Sequence, residues 1–225
     1  MTKYIPVTVA QTEGLRKVAN DKKVGLALFQ QALDNGSFAR FLDSLKADEQ
    51  MEYTPLSDER IAELTKLATD AGARIHVLRR VRVQQDRDWQ DSINLAGQNT
   101  PMNYNVRKPE VSAQYPPVSK KTVEKDIVLL NYPKGDGNWD KATTWGQSTS
   151  LKVTNPREVN AIGEQYPTLH NTLGQNPMYV VAPMECTFDG NRIACSVWWI
   201  DSNRKAHLFW VSNFDYAFGW FAFSE

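Results

Sequence analysis

The stretch that decides the fold is MYVVAPMECTFDGNRIACSVWWI, residues 178–200. Within it, Asp189-Gly190 separates two runs rich in β-branched and aromatic residues. This dipeptide, placed between two such runs, is the strongest short signal for a β-hairpin with a two-residue turn. The turn fixes the pairing, so that Phe188 opposes Asn191. The sequence therefore predicts an antiparallel hairpin here.

The side chains of the predicted hairpin separate into two faces, because successive strand residues point in opposite directions. The apolar face carries Met184, Cys186, Ile193, Cys195, Val197 and Trp199. The mixed face carries Glu185, Thr187, Arg192, Ser196 and Trp198. Both thiols are thus expected in the interior, diagonally placed at about 7 Å, which disfavours a disulfide. The indole of Trp198 is expected to point the other way.

A turn at Ser202-Asn203 predicts a third strand in the same sheet. In this register His207 opposes Trp198 on the mixed face, and Trp210 lies on the apolar face. Trp199 and Trp210 are therefore predicted to be core residues. The later runs AHLFWVSNF and WFAFS are expected to continue an antiparallel meander.

The rest of the chain reads as helices, two more strands and a long loop. The expected elements are helices within 9–48, a helix over 57–71, a strand over 74–83, a loop over 97–120, a strand over 124–133, a short helix after GDGNWD and a helix over 156–173. Asn155 or Thr154 is expected to cap this last helix, with Pro156 at its first position.

These elements predict an α+β fold, because helices and antiparallel strands occupy separate parts of the chain. We expect a helical region over 1–85 that ends in a strand. A linker or long loop over 86–120 follows. The third part, 121–225, is predicted as an α+β domain, in which an antiparallel meander packs against one or two helices.

Composition excludes a global attraction to polyanions. The chain has 26 basic and 26 acidic residues, so its formal net charge is zero. No secretory h-region stands near residue 1, and no run reaches the roughly 18 apolar residues of a membrane span. With only two cysteines, these features predict a cytoplasmic protein without a membrane partner. Neither a phosphate loop nor metal-ligand spacing is present, so no cofactor and no metal are expected.

The mixed face supplies the first candidate site, made of Trp198, His207, Arg192 and Ser196. An aromatic plane beside an imidazole and a guanidinium can stack on a base, a sugar or a peptide side chain. The alternative is structural: the helix over 156–173 covers this face, and the cluster packs beneath it.

A second candidate is the strand over 74–83, which carries Arg80 and Arg82. Ile75, Val77, Val81 and Val83 are expected on one face, with a cationic face opposite. Its arginines point to phosphate contacts. The alternative is a solvated edge strand whose charges prevent aggregation.

Residues 89–225 resemble a set of uncharacterised bacterial hypothetical proteins. The resemblance is carried by runs such as WQDSIN, LLNYPKG and NPREVNAIGEQYPTLH. It implies a recurring module in the second half of the chain and brings no activity, cofactor or catalytic residue with it.

The function predicted first is a non-enzymatic binding or structural-interaction protein with an aromatic sheet surface, whose partner is a protein or a small polar ligand. One alternative is a small hydrolase or transferase with a site near Trp198 and His207. The other is a nucleic-acid-associated protein that uses Arg80 and Arg82.

Overall fold

The computed structural model describes residues 53–97, 104–213 and 217–225. The helices predicted within 9–48 lie outside these residues. Met51–Glu225 forms one compact unit. Helices packed on a largely antiparallel sheet confirm the predicted α+β class.

The described helices are α1 (Asp58–Asp70), α2 (Trp89–Ala96), α3 (Pro109–Ser112), α4 (Trp139–Ser148), α5 (Pro156–Gln165) and α6 (Leu169–Thr172), with short 3-10 turns at Asn105–Arg107 and Val211–Asn213. The strands are β1 (Arg74–Gln84), β2 (Thr122–Asn131), β3 (Lys152–Val153), β4 (Met178–Phe188), β5 (Asn191–Ile200), β6 (Asn203–Trp210) and β7 (Gly219–Ser224). No helix in this part of the chain is long and apolar enough to cross a membrane.

The strands form one sheet in the order β1-β2-β7-β4-β5-β6, with β3 also paired to β7. The predicted meander is present as β4-β5-β6. The expectation that WFAFS extends it beyond β6 is wrong, because β7 returns to the centre and runs parallel to β4. All six residues of β7 are buried. An apolar run buried on both faces is typical of a central strand rather than an edge.

Each face of the sheet has its own hydrophobic core. On the first face, which we call the thiol face, helices α2 and α5 contribute Ile93, Val159 and Ile162 to a cluster that contains both cysteines and Trp199. On the second, the aromatic face, helices α1 and α4 contribute a separate cluster that includes Leu64 and Trp145. The described part of Met51–Glu225 therefore has three layers, helix, sheet and helix.

The segment 86–120, predicted as a linker, contributes to the core of the thiol face. Trp89 stacks on Tyr115 with ring centroids 5.7 Å apart. Val106 and Val111 are also buried in this cluster. Strand β1, at the end of the region predicted as 1–85, pairs with β2 in the common sheet.

The hairpin at Asp189-Gly190 forms as predicted, with Phe188 opposite Asn191. Its faces are also confirmed for Cys186, Ile193, Cys195, Val197 and Trp199, all of which belong to the thiol-face core. Met184 is the exception and is exposed. The pairing of β4 with β5 shifts between Val181 and Glu185, around Pro183, which has no N–H to donate to the ladder. Met184 lies in this irregular segment, so its predicted place in the core is wrong.

The β5–β6 turn lies one residue earlier than predicted, at Asp201-Ser202. Ile200 pairs with Asn203, and Trp198 therefore pairs with Lys205 rather than with His207. The register differs by two residues, which preserves the alternation along β6 and leaves His207 on its predicted face. Trp210 moves to a position opposite Ile193, at the end of edge strand β6, and is 46% exposed. Its prediction as a core residue is wrong, because the shift carries it toward the end of the sheet.

Helix α5 begins with the predicted cap. The Asn155 side chain accepts hydrogen bonds from the backbone N–H groups of Arg157 and Glu158, and the Glu158 carboxylate accepts one from the Asn155 N–H. This capping box fixes the start of the helix. The helix packs on the thiol face. The alternative in which it covers the mixed face of the hairpin is therefore wrong.

Strand β1 contains a β-bulge between Leu78 and Val81. Arg80 sits in the bulge with a φ of 54°. The bulge exchanges the faces of the strand, so that Ile75 and Val77 pack on the aromatic-face core whereas Val81 belongs to the thiol-face core. The predicted single apolar face over 74–83 is wrong for this reason.

Candidate functional site

The candidate site is built on the end of the aromatic face that strands β4, β5 and β6 form. Tyr179, Trp198, His207 and Phe209 form what we call the aromatic cluster. Trp198 stacks on His207 with ring centroids 4.8 Å apart and planes 20° from parallel. Tyr179 stacks on Trp198 at 5.8 Å and on Phe209 at 4.9 Å. Four rings from three strands thus make an aromatic wall of stacked neighbours, in which Trp198 and Phe209 are tilted by 49° to each other.

The aromatic wall borders a shallow hollow of about 420 Å³, which we call the aromatic groove. Further apolar lining comes from Pro177, Ile200, Trp210 and Phe218. Phe218 is 42% exposed, an unusual state for a large apolar side chain beside a core. The groove is therefore an apolar surface that the described residues leave open to solvent.

The charge state of the groove is set by burial. Burial, and after it the nearby Lys205 charge, lowers the pKa of His207 to about 4. The imidazole is therefore neutral at pH 7, which suits its place against the indole. The Lys205 ammonium lies 5.7 Å from the centroid of the Trp198 ring.

Two ring nitrogens of the cluster are buried without a hydrogen-bond partner among the described residues: Trp198 Nε1 and His207 Nδ1. His170 Nδ1 is in the same state. A histidine that acts as a general base is normally oriented by a hydrogen bond from its second nitrogen to a carboxylate or a carbonyl. The His207 ring has no hydrogen bond to a carboxylate among the described residues, and its contact with the Leu208 backbone only partly offsets the lowering of its pKa.

Ser196 and Arg192, the other predicted members of this site, occupy different positions. Ser196 is buried, and its hydroxyl donates to the His207 carbonyl oxygen at 3.3 Å. It therefore ties β5 to β6 beneath the rings. Arg192 lies near the hairpin turn, where its guanidinium donates two hydrogen bonds to Glu185. The fold thus brings Trp198, His207 and Ser196 together and places Arg192 at the rim of another hollow.

Arg80 and Arg82 lie on β1, at the opposite edge of the sheet from β6. The Arg80 guanidinium donates to Glu124 at 2.8 Å and lies over the Tyr53 ring. Both backbone polar groups of Arg82 bond the Gln165 side chain. The fold therefore does not combine these arginines with the aromatic cluster.

The cysteines lie on the closed face. Burial raises the pKa of both the Cys186 and the Cys195 thiol, so neither is a ready nucleophile. The Tyr115 hydroxyl beside them donates to the Met184 carbonyl oxygen at 3.1 Å. Among the described residues, no group of three or more His, Cys, Asp or Glu side chains is arranged to hold a metal ion.

Tyr179, Phe209 and Phe218 belong to the site but were not predicted as site residues. The alternation of side chains along a strand could have predicted Tyr179 and Phe209. Tyr179 has the parity of Glu185 on β4, and Phe209 has that of His207 on β6, so both fall on the mixed face. Phe218 precedes β7, and only the return of that strand to the centre brings it to the groove.

No protein-family model, no curated protein and no solved structure matches this chain. The resemblance of residues 89–225 to bacterial proteins stays a prediction.

Proposed function

We propose that the protein is a non-enzymatic binding protein whose aromatic groove receives a small planar aromatic molecule. One observation carries this proposal: three stacked ring pairs, contributed by three strands, stand beside an open apolar hollow. Aromatic pairs favour offset stacking, and a planar ligand continues the series already present.

The dimensions of the groove support a small ligand. A volume of about 420 Å³ falls in the range of sites for small molecules. The flat faces of the stacked rings favour a flat ligand.

The arrangement of His207 favours binding over catalysis. Its ring packs face to face against Trp198, and no described carboxylate is hydrogen-bonded to it. The paired state of Arg80, with Glu124 at 2.8 Å, likewise gives the nucleic-acid alternative less support than the groove has.

The test is a titration of the full-length protein with anilinonaphthalene sulfonate, a planar aromatic anion. Its fluorescence reports binding, and two-dimensional NMR of the indole N–H signals reports the place. We expect the Trp198 and Trp210 signals to shift, because both rings line the groove, while that of buried Trp199 stays in place.

Trp198→Ala is expected to weaken binding by about tenfold, since stacking on one ring contributes roughly 1–3 kcal/mol. Tyr104→Ala is the matched control, because Tyr104 is an exposed aromatic residue away from the groove. Binding that shifts neither groove indole, or that Tyr104→Ala weakens equally, would refute the proposal.

A further inference from the structure

A second hollow lies on the other side of Trp210, and its lining is polar. It has a volume of about 620 Å³ and is lined by Asn138, Asp140, Asn191 and Arg192 together with Trp210. We call it the polar cleft. Three elements meet there: the start of α4, the turn of the β4–β5 hairpin and the end of β6.

Local hydrogen bonds hold the two amide side chains of the cleft in place. The Asn138 side chain caps α4 by accepting from the Lys141 N–H at 2.9 Å, which fixes the first turn that carries Asp140. The Asn191 amide donates to the Asp189 carbonyl oxygen at 2.7 Å. The Asp140 carboxylate is exposed and accepts no hydrogen bond from any residue that the structure describes. The cleft therefore offers two amide groups that are held in place and one exposed carboxylate.

Arg192 is fixed more firmly than an ordinary surface arginine. Its Nε and Nη2 atoms donate to the two Glu185 carboxylate oxygens at 2.7 and 2.6 Å. This bidentate pair fixes the plane of the guanidinium. The hydrogen bonds from Arg192, and after them one from the Trp139 side chain, hold the pKa of Glu185 below its usual value. The charge of Arg192 is thus already compensated.

The charge balance of the cleft points to a neutral ligand. A phosphate or carboxylate would compete with Glu185 for Arg192 and would lie beside the Asp140 charge. Each of these effects disfavours an anion. Hydroxyl groups, in contrast, both donate and accept, and they match a set of amide, carboxylate and guanidinium groups.

Trp210 supplies the apolar part of the cleft. The ring is 46% exposed at the end of β6, whereas Trp139 at the base of the cleft is buried. An exposed indole is a flat apolar platform with one polar edge. A pyranose ring presents C–H groups on one face and hydroxyls around its rim. The Trp210 ring matches the C–H face of the sugar, and the polar groups of the cleft match its hydroxyls.

We propose that the polar cleft binds a neutral sugar. A pyranose ring stacks its C–H face on Trp210, while its hydroxyls bond Asp140, Asn191 and Arg192. This proposal does not depend on the function assigned to the aromatic groove, because it rests on a different hollow and on polar side chains that the groove lacks.

The test is saturation-transfer NMR on the full-length protein with maltose, cellobiose and lactose, each at concentrations up to tens of millimolar. We expect at least one disaccharide to receive saturation, and the Trp210 indole signal to shift on its addition. Asp140→Ala and Trp210→Ala are each expected to weaken this binding by about tenfold, the loss of one good hydrogen bond or stacking contact. Asp136→Ala, which removes a nearby exposed acid outside the lining, is the matched control.

The two sites can fail separately. Asp140→Ala should leave the binding of anilinonaphthalene sulfonate unchanged, and His207→Phe should leave sugar binding unchanged. The sugar proposal is overturned if none of the three disaccharides binds, if binding persists in both cleft variants, or if glucose 6-phosphate binds more tightly than the neutral sugars.

Discussion

Trp198 and Trp199 are neighbours on β5, yet they meet opposite surroundings. Trp199 is fully buried on the thiol face, and its indole donates to the Tyr166 carbonyl oxygen at 3.3 Å. Trp198 is half-buried on the aromatic face and stacks on His207 and Tyr179. Strand alternation separates the two rings, and the helices decide the rest, because α5 packs on the thiol face under Trp199.

This difference shows that one strand can contribute to a closed core on one face and to a partly exposed aromatic surface on the other. The thiol face has a continuous core from β1 to β6. The aromatic face is covered by α1 and α4 near β1, β2 and β7, and it opens toward β6. Substitutions on the two faces should therefore affect different properties.

The largest effect is expected from the two tryptophans themselves. Trp199→Ala should lower the free energy of unfolding by about 3–5 kcal/mol, because it leaves a cavity in a closed core. Trp198→Ala should lower it by only about 1–2 kcal/mol, since the ring is half-buried and loses mainly stacking. Urea unfolding followed by circular dichroism measures both values. Equal losses of unfolding free energy in the two variants would show that Trp198 and Trp199 are equally well packed, which contradicts the comparison.

Asp126→Asn tests the covered end of the aromatic face. The buried Asp126 carboxylate accepts from the Tyr53 hydroxyl, the Leu56 N–H and the Arg80 N–H, at 2.6, 3.0 and 2.9 Å. Arg79 donates a further hydrogen bond. An amide presents an N–H₂ group to one of these donors, so we expect a loss of about 2–3 kcal/mol in urea unfolding. Asp58→Asn is the control, because Asp58 is an exposed partner of the same Arg79.

The same carboxylate makes stability depend on pH. Burial raises the pKa of Asp126, but the hydrogen bonds from Tyr53, Arg80, Arg79 and Leu56 outweigh it and lower the pKa below the ordinary value of 3.8. The stabilisation is therefore complete well above pH 4 and is lost as the pH falls through the folded-state pKa. Asp126→Asn should remove this part of the acid dependence. An unchanged acid profile in the variant would contradict the assignment.

Gly163→Ala tests how closely α5 covers the thiol face. A Cβ at this position would lie 2.7 Å from the Ala96 carbonyl oxygen and 3.0 Å from Val197 Cγ1. We expect a loss of about 1–2 kcal/mol in thermal or urea unfolding, because the helix must move away from α2 and β5. The sign of the change in unfolding free energy distinguishes close from loose packing. In a loosely packed helix, alanine would stabilise the protein by up to about 1 kcal/mol.

His207→Phe should have the smallest effect on the free energy of unfolding at pH 7, because one uncharged ring replaces another. The difference should appear in acid. The folded-state pKa of His207 is about 4, below the ordinary 6.5. Between these two values the unfolded chain therefore binds a proton at His207 that the folded chain does not bind. Stability should therefore fall as the pH drops from about 6.5 to about 4, and less so in the variant. Histidine NMR titration gives the midpoint directly, and a midpoint near 6.5 would show that the ring is exposed.

Local sequence signals predicted most of the individual elements. The capped start of α5, the hairpin at Asp189-Gly190 and the sides of β5 on which Trp198 and Trp199 lie were all predicted correctly. Of the residues proposed for the first site, Trp198, His207 and Ser196 come together, because alternation survives a register shift of two residues. The prediction that Trp210 and Met184 lie in the core was wrong, because strand ends and bulges depend on partners that are distant in the chain.

The sequence by itself determined most of the helices and strands, though not α2 or β3, and it determined where the main hairpin turns and which side chains share a face of it. These features follow from backbone conformation and strand alternation, which act over a few residues. Only the tertiary structure decided that β7 lies between β2 and β4, that β1 changes faces at its bulge and that α5 packs on the cysteines rather than on Trp198. These outcomes depend on which apolar surfaces bury one another across the chain, a competition that no local window contains.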